Sequence, residues 1–131
     1  MNFKNLASVS ALICFVLALI WTFAPNVLLA MWSVDYSYPV GLVSRRGAAL
    51  FAAIGIIFFL ARNAEPSSAR SAIVSGFIFG CFALSALGAF ELVTGHAGLG
   101  ILSAMCVEIA LGLSFLYVAS HEPMPNQEGK S

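Results

Sequence analysis

Four charged residues stand where a solvated protein would have no need of them. Glu108 interrupts the apolar run LGILSAMCVEIALGLSFLYVA, and Glu91 lies near the end of an earlier one. Arg45 and Arg46 open a third run. An ionisable side chain inside an apolar segment is costly, and it is kept there by a partner or by a task. Glu108 lies about nine residues into its segment, roughly 13 Å deep at 1.5 Å per residue. Its helical neighbours at i−4 and i+4 are Ala104 and Gly112. Small residues let another helix come close, so this face should point inward. There the carboxyl would act as a protonatable site for a proton or cation, or as a structural hydrogen-bonding group. Ser75, Ser85 and Ser103 are candidate partners. Arg45, Arg46 and Glu91 fall at one membrane face if consecutive segments alternate in direction. The simpler reading of that trio is an ion pair pinning two helices together; the alternative is a polar vestibule or an interfacial lipid-modifying site.

The elements that must position these residues follow from composition. Of 131 residues, 60% are apolar and 9% charged, with six Lys and Arg balancing six Asp and Glu. A soluble domain is about a quarter charged. So few polar residues cannot cover a soluble surface, which excludes an ordinary soluble enzyme, a disordered chain and a nucleic-acid binder. Crossing a bilayer takes roughly 20 mostly apolar residues. Four segments qualify: 6–24, 45–62, 72–93 and 99–119. They are continuous rather than alternating, so they read as helices and not as barrel strands. The expected fold is all-α: a four-helix transmembrane bundle running up-down-up-down.

The first apolar run extends past Pro25 towards Trp32 and exceeds the 7–15 residues typical of a signal-peptide core. It is expected to be a retained span. Residues 26–44 carry Trp32, Tyr36 and Tyr38, which suit an interfacial aromatic belt. Residues 62–71, RNAEPSSARS, form a polar turn, and TGHAG at 94–98 a tight one. Residues 120–131 read as a polar, disordered tail. Lys4, Arg62, Arg70 and Lys130 outnumber Arg45 and Arg46 on the opposite side, so both termini are expected in the cytoplasm.

Gly76 and Gly80 form a GxxxG that Gly88 continues, and with Ala104 and Gly112 these are the candidate helix-packing residues, expected to work within the bundle. Cys14, Cys81 and Cys106 are spread over three spans and read as small packing residues. His96 and His121 fall on opposite sides and cannot share a ligand. No metal site, cofactor motif, nucleophile elbow or phosphate loop is present in the sequence.

The segment SRRGAALFAAIGIIFFLARNAEPSSARSAIVSG resembles small uncharacterised bacterial membrane proteins with four predicted spans. In these an Arg and a Gly open the second helix, which ends in Ala-Arg before a polar turn. Arg45 or Arg46 with Gly47, and Ala61 with Arg62, stand at those places. The chain departs from the pattern in span three, whose polar residue comes late, at Ser85. The resemblance implies a four-helix bundle in a bacterial inner membrane and carries no catalytic residues.

The bilayer is thus the expected surrounding, with a homo-oligomer or a membrane-protein partner as further company. The leading expectation is a small accessory or scaffold protein of another membrane protein. A minimal oligomeric transporter or channel using Glu108 is the alternative, and an interfacial lipid-modifying enzyme built on Arg45, Arg46 and Glu91 the third.

Overall fold

The structure is a computed structural model describing residues 1–122. It is all-helical, and four of its helices are long and apolar enough to cross a membrane. These are α1 (Phe3–Phe23), α3 (Tyr38–Ala61), α4 (Ser68–Val93) and α5 (Ile101–His121). A short helix α2 (Pro25–Met31) follows α1. At 21 to 26 residues the four long helices measure about 32 to 39 Å, enough for a hydrocarbon core of roughly 30 Å.

Capping sets the helix starts. The Asn2 side chain accepts the Asn5 N–H at 3.0 Å, and Ser67 accepts the Arg70 N–H at 3.2 Å. Both satisfy amides that have no partner within a first turn. Ser37 caps α3, and Pro39 follows in the first turn, where its missing N–H costs nothing. The second span therefore begins at Tyr38 rather than near residue 45, in a stretch whose proline and glycine read as a loop. Arg45 and Arg46 consequently lie two turns inside α3, not at its start. Pro25 has the opposite effect on α1. Ala24 leaves the helical region (φ −140°, ψ 53°), and the chain restarts as α2 with Pro25 at its head. The expected continuation towards Trp32 thus exists, but as a separate element.

Helix α1 packs along α3, and α4 packs along α5. The two pairs meet at one end through a knot of phenylalanines, one from each long helix. The Phe58 ring lies 4.7 Å from Phe77 and 5.2 Å from Phe115, while Phe77 and Phe115 are 5.2 Å apart. Phe3 closes the knot at 6.4 Å from Phe115. Phe3 begins α1, Phe58 is near the end of α3, Phe77 is early in α4 and Phe115 late in α5. Their meeting establishes the up-down-up-down order.

At the opposite end the pairs are joined by backbone. The Gly98 N–H donates to the Trp32 carbonyl at 2.6 Å, so the end of α2 is tied to the α4–α5 turn. Gly100 makes this approach possible. A methyl group there would strike the Met31 carbonyl, 2.7 Å from its carbon. Helix α2 therefore straps the two helix pairs together at the end farthest from the phenylalanine knot.

The expected tail boundary moves. Ser120 and His121 belong to α5, and Glu122 is held by Arg70. The rest of the expected tail, 123–131, lies outside the described residues.

Candidate functional site

Between the knot and the strap the two helix pairs leave space, and Glu108 faces it. Glu108 stands about 10 Å along α5 from Ile101, nearer the strap than the knot and short of the mid-depth expected from a span starting at 99. Its carboxylate Oε2 accepts the Ser85 hydroxyl of α4 at 3.2 Å. Of the three serines suggested by sequence, Ser85 is the partner. Ser85 is 6% exposed, and its hydroxyl also lies 3.5 Å from the Met105 carbonyl. The α4–α5 seam that holds this pair is closed by glycines on either side. A Cβ on Gly88 would lie 3.0 Å from the Met105 side chain, and one on Gly112 would lie 3.2 Å from the Phe82 ring. The packing expected of Gly88 and Gly112 is thus present.

Two adjoining cavities, about 540 and 460 Å³, share a wall made of Trp21, Trp32, Phe51 and Glu108. The larger runs along α3 past Val40, Val43, Ser44 and Gly47 to Leu84 of α4. The smaller runs along α1 past Leu12, Val16 and Leu17 to Ser103 and Ala104 of α5. Ala104 lines the smaller cavity. The Trp21 and Trp32 rings meet at 5.4 Å between centres, tilted by 56° to each other. That contact exists because the chain breaks at Pro25 and turns α2 back. Trp32, expected in the aromatic belt, is half-buried in the cavity wall, while Tyr36 and Tyr38 are exposed. Among the described residues lining the two cavities, Glu108 is the one with an ionisable side chain.

The other sequence candidates are placed differently. Glu91 takes His96 as its partner, 3.1 Å from Oε2 to Nδ1, and the same ring nitrogen lies 3.0 Å from the Thr94 hydroxyl. Arg45 and Arg46 are exposed on α3, and among the described residues neither forms an ion pair with Glu91 or with Asp35. The structure does not assemble the arginine–glutamate trio. Gly76 and Gly80 do not pack within the bundle either. Nothing lies within 4 Å of a Cβ placed on either one, so the GxxxG faces outward. Cys14 and Cys81 are buried in the packing as expected, whereas Cys106 is exposed, and all three are free thiols. His96 and His121 sit at opposite ends of the bundle, as expected. No cluster of metal-ligating side chains occurs among the described residues.

One site residue was missed. Arg70 reads as a loop charge in the sequence, but it is only 7% exposed. Its guanidinium pairs with Glu122, donates to the Ala64 carbonyl at 3.0 Å and lies 3.6 Å over the Phe3 ring. It locks the knot end by tying the α3–α4 turn, the start of α1 and the end of α5 together. The signal was present in the spacing. Arg70, Val74, Phe77, Cys81, Ser85 and Gly88 recur at steps of three and four along one face of α4. Arg62, by contrast, folds over the ring of its own helix neighbour Phe59, 3.8 Å from the centroid.

Comparison with known protein families, curated proteins and solved structures gives no match for this chain. A carboxyl group facing an apolar cavity can exchange a proton, accept a hydrogen bond or neutralise a cation. Ser85, its one hydrogen-bond donor among the described residues, leaves acceptor capacity free for a guest.

Proposed function

We propose that this integral membrane protein receives a small apolar guest between its two helix pairs and holds it at Glu108. One observation carries the reading: among the described residues a single ionisable side chain faces both adjoining cavities, and aromatic rings share its wall. Binding sites of this kind are concave and mostly apolar, with a few placed polar groups, and measure about 300 to 1,000 Å³. Movement of the guest or of a proton across the bilayer would make the protein a minimal carrier. One copy already contains the site, so binding does not depend on the oligomer that a pore through so short a chain would require. The membrane we infer is a bacterial inner membrane, with both termini inside; the four-to-two balance of basic residues supports that orientation.

The test is purification from the native membrane at native expression in mild detergent, followed by mass spectrometry of everything retained. A small molecule kept by the wild type and lost from Glu108→Gln supports the reading. Identical contents in both refute it.

An accessory or scaffold role is the second reading. The unpacked Gly76 and Gly80 on the outer face of α4 favour it, since small residues there would let a partner helix approach closely. Stoichiometric recovery of a foreign membrane protein in the same purification would support that role. Nothing in the geometry favours an interfacial lipid-modifying site, because Arg45, Arg46 and Glu91 do not converge.

A further inference from the structure

We infer that the guest is a lipophilic cation, a bulky organic cation whose charge is buried among apolar or aromatic groups. The inference rests on the binding reading above and names its ligand class. Three observations lead to it. The first is charge. Among the described residues the two cavities present one carboxyl and no basic side chain: Arg45 is exposed on α3, Arg46 lines a separate outer pocket beyond Val43 and Gly47, and Arg70 is engaged at the knot. Among the described residues no basic side chain shares these cavities with an ionised Glu108, so a cationic guest would supply its neutralising charge. The second is the wall. Trp21, Trp32 and Phe51 surround the same space, and aromatic faces attract cations electrostatically. The third is the apolar lining. Besides Glu108, its only side-chain oxygens among the described residues are the Ser44 and Ser103 hydroxyls, which donate to the Val40 and Gly100 carbonyls, too little to replace the water of a compact, strongly hydrated ammonium. A quaternary or charge-delocalised cation is weakly hydrated and covers its charge with carbon, which the leucines and valines of α1 and α3 can accept.

A neutral apolar guest would fill the volume equally well. It would leave the Glu108 carboxylate with Ser85 as its donor and would gain nothing from the charge. The contrast between cation and neutral guest therefore separates the ligand class from the cavity itself.

The two cavity tryptophans are the two tryptophans of the chain, so intrinsic fluorescence reads the site directly. The full chain in mild detergent is titrated with tetraphenylphosphonium, with its anionic isostere tetraphenylborate and with neutral triphenylphosphine. Tetraphenylphosphonium is expected to change the emission saturably and to bind about tenfold or more tighter than the other two. In Glu108→Gln its affinity is expected to fall on the order of a hundredfold, the scale of losing one close charge in protein surroundings. Triphenylphosphine binding should stay unchanged, which also reports that the variant is folded. Glu108→Asp keeps the charge and should keep the preference for the cation, so the inference stays testable if the glutamine variant fails to fold. Equal binding of all three probes, or a cation affinity indifferent to Glu108→Gln, would overturn the cation inference and leave the cavity reading standing. Failure of every probe to give a saturable change would overturn both.

Discussion

Phe115 is where the two helix pairs are held together, and its truncation measures how much that knot contributes. The side chain is fully buried, with rings from Phe58 and Phe77 at 5.2 Å and Phe3 at 6.4 Å. Inside a bilayer there is little transfer gain to lose, since lipid tails are as apolar as the protein interior. The penalty for Phe115→Ala comes instead from the void and the lost ring contacts. Removing about 100 Å³ at about 24 cal/mol per Å³ gives about 2.4 kcal/mol. Three aromatic contacts at about 0.5 kcal/mol each bring the loss to about 4 kcal/mol. Equilibrium unfolding in mixed micelles, by titration with a denaturing detergent, would report it. The control is Phe79→Ala on α4, where the ring is 76% exposed. That change should cost within about 0.5 kcal/mol of nothing. If Phe115→Ala is no more destabilising than Phe79→Ala, the helix pairs do not meet as described.

Three further outcomes follow from other parts of the fold. Arg70→Ala should cost about 3 kcal/mol in the same assay, because it removes the Glu122 pair, the Ala64 hydrogen bond and the contact with Phe3 together; Glu122→Gln should cost less, because its amide oxygen can still accept from the guanidinium and Arg70 keeps its Ala64 and Phe3 contacts. Gly100→Ala should cost about 1 to 3 kcal/mol, since the new methyl meets Met31 backbone that has to shift. Because Trp32 directly follows Met31 at the end of α2, the emission spectrum of Gly100→Ala should shift as well, whereas a distortion confined to α5 would leave it unchanged. Ser10→Ala should be neutral or stabilising by about 1 kcal/mol, as the buried Ser10 hydroxyl has no hydrogen-bond partner among the described residues; a clear loss of stability would show that it has one.

The four crossings were legible in the sequence because continuous apolar runs of this length have one common explanation. Their antiparallel order was legible from short turns; the partner of Glu108 was legible only as one of Ser75, Ser85 and Ser103, because nothing in the sequence says which hydroxyl the α4–α5 packing brings to the carboxyl. The start of α3 was not, because Pro39 and Gly41 read as breakers until Ser37 is seen to cap the helix ahead of them. The Arg45, Arg46 and Glu91 trio failed for a different reason. Shared depth in a bilayer does not make two helices neighbours, and here α3 packs on α1 while α4 packs on α5. The GxxxG of Gly76 and Gly80 announces that close approach is possible without saying from which side. The cavity itself was hidden because Trp21 and Trp32 come together only through the break at Pro25.

The most direct test of the central claim is whether Glu108 can be reached from the bilayer through these cavities. Membranes containing the protein would be treated with a hydrophobic carbodiimide, which modifies carboxyl groups from the lipid phase, and the adducts located by peptide mass spectrometry. The account predicts modification at Glu108 ahead of Glu91 and Glu65, with a concurrent change in the emission of Trp21 and Trp32. An unmodified Glu108 beside a fully reacted Glu91, with tryptophan emission unchanged, would contradict it.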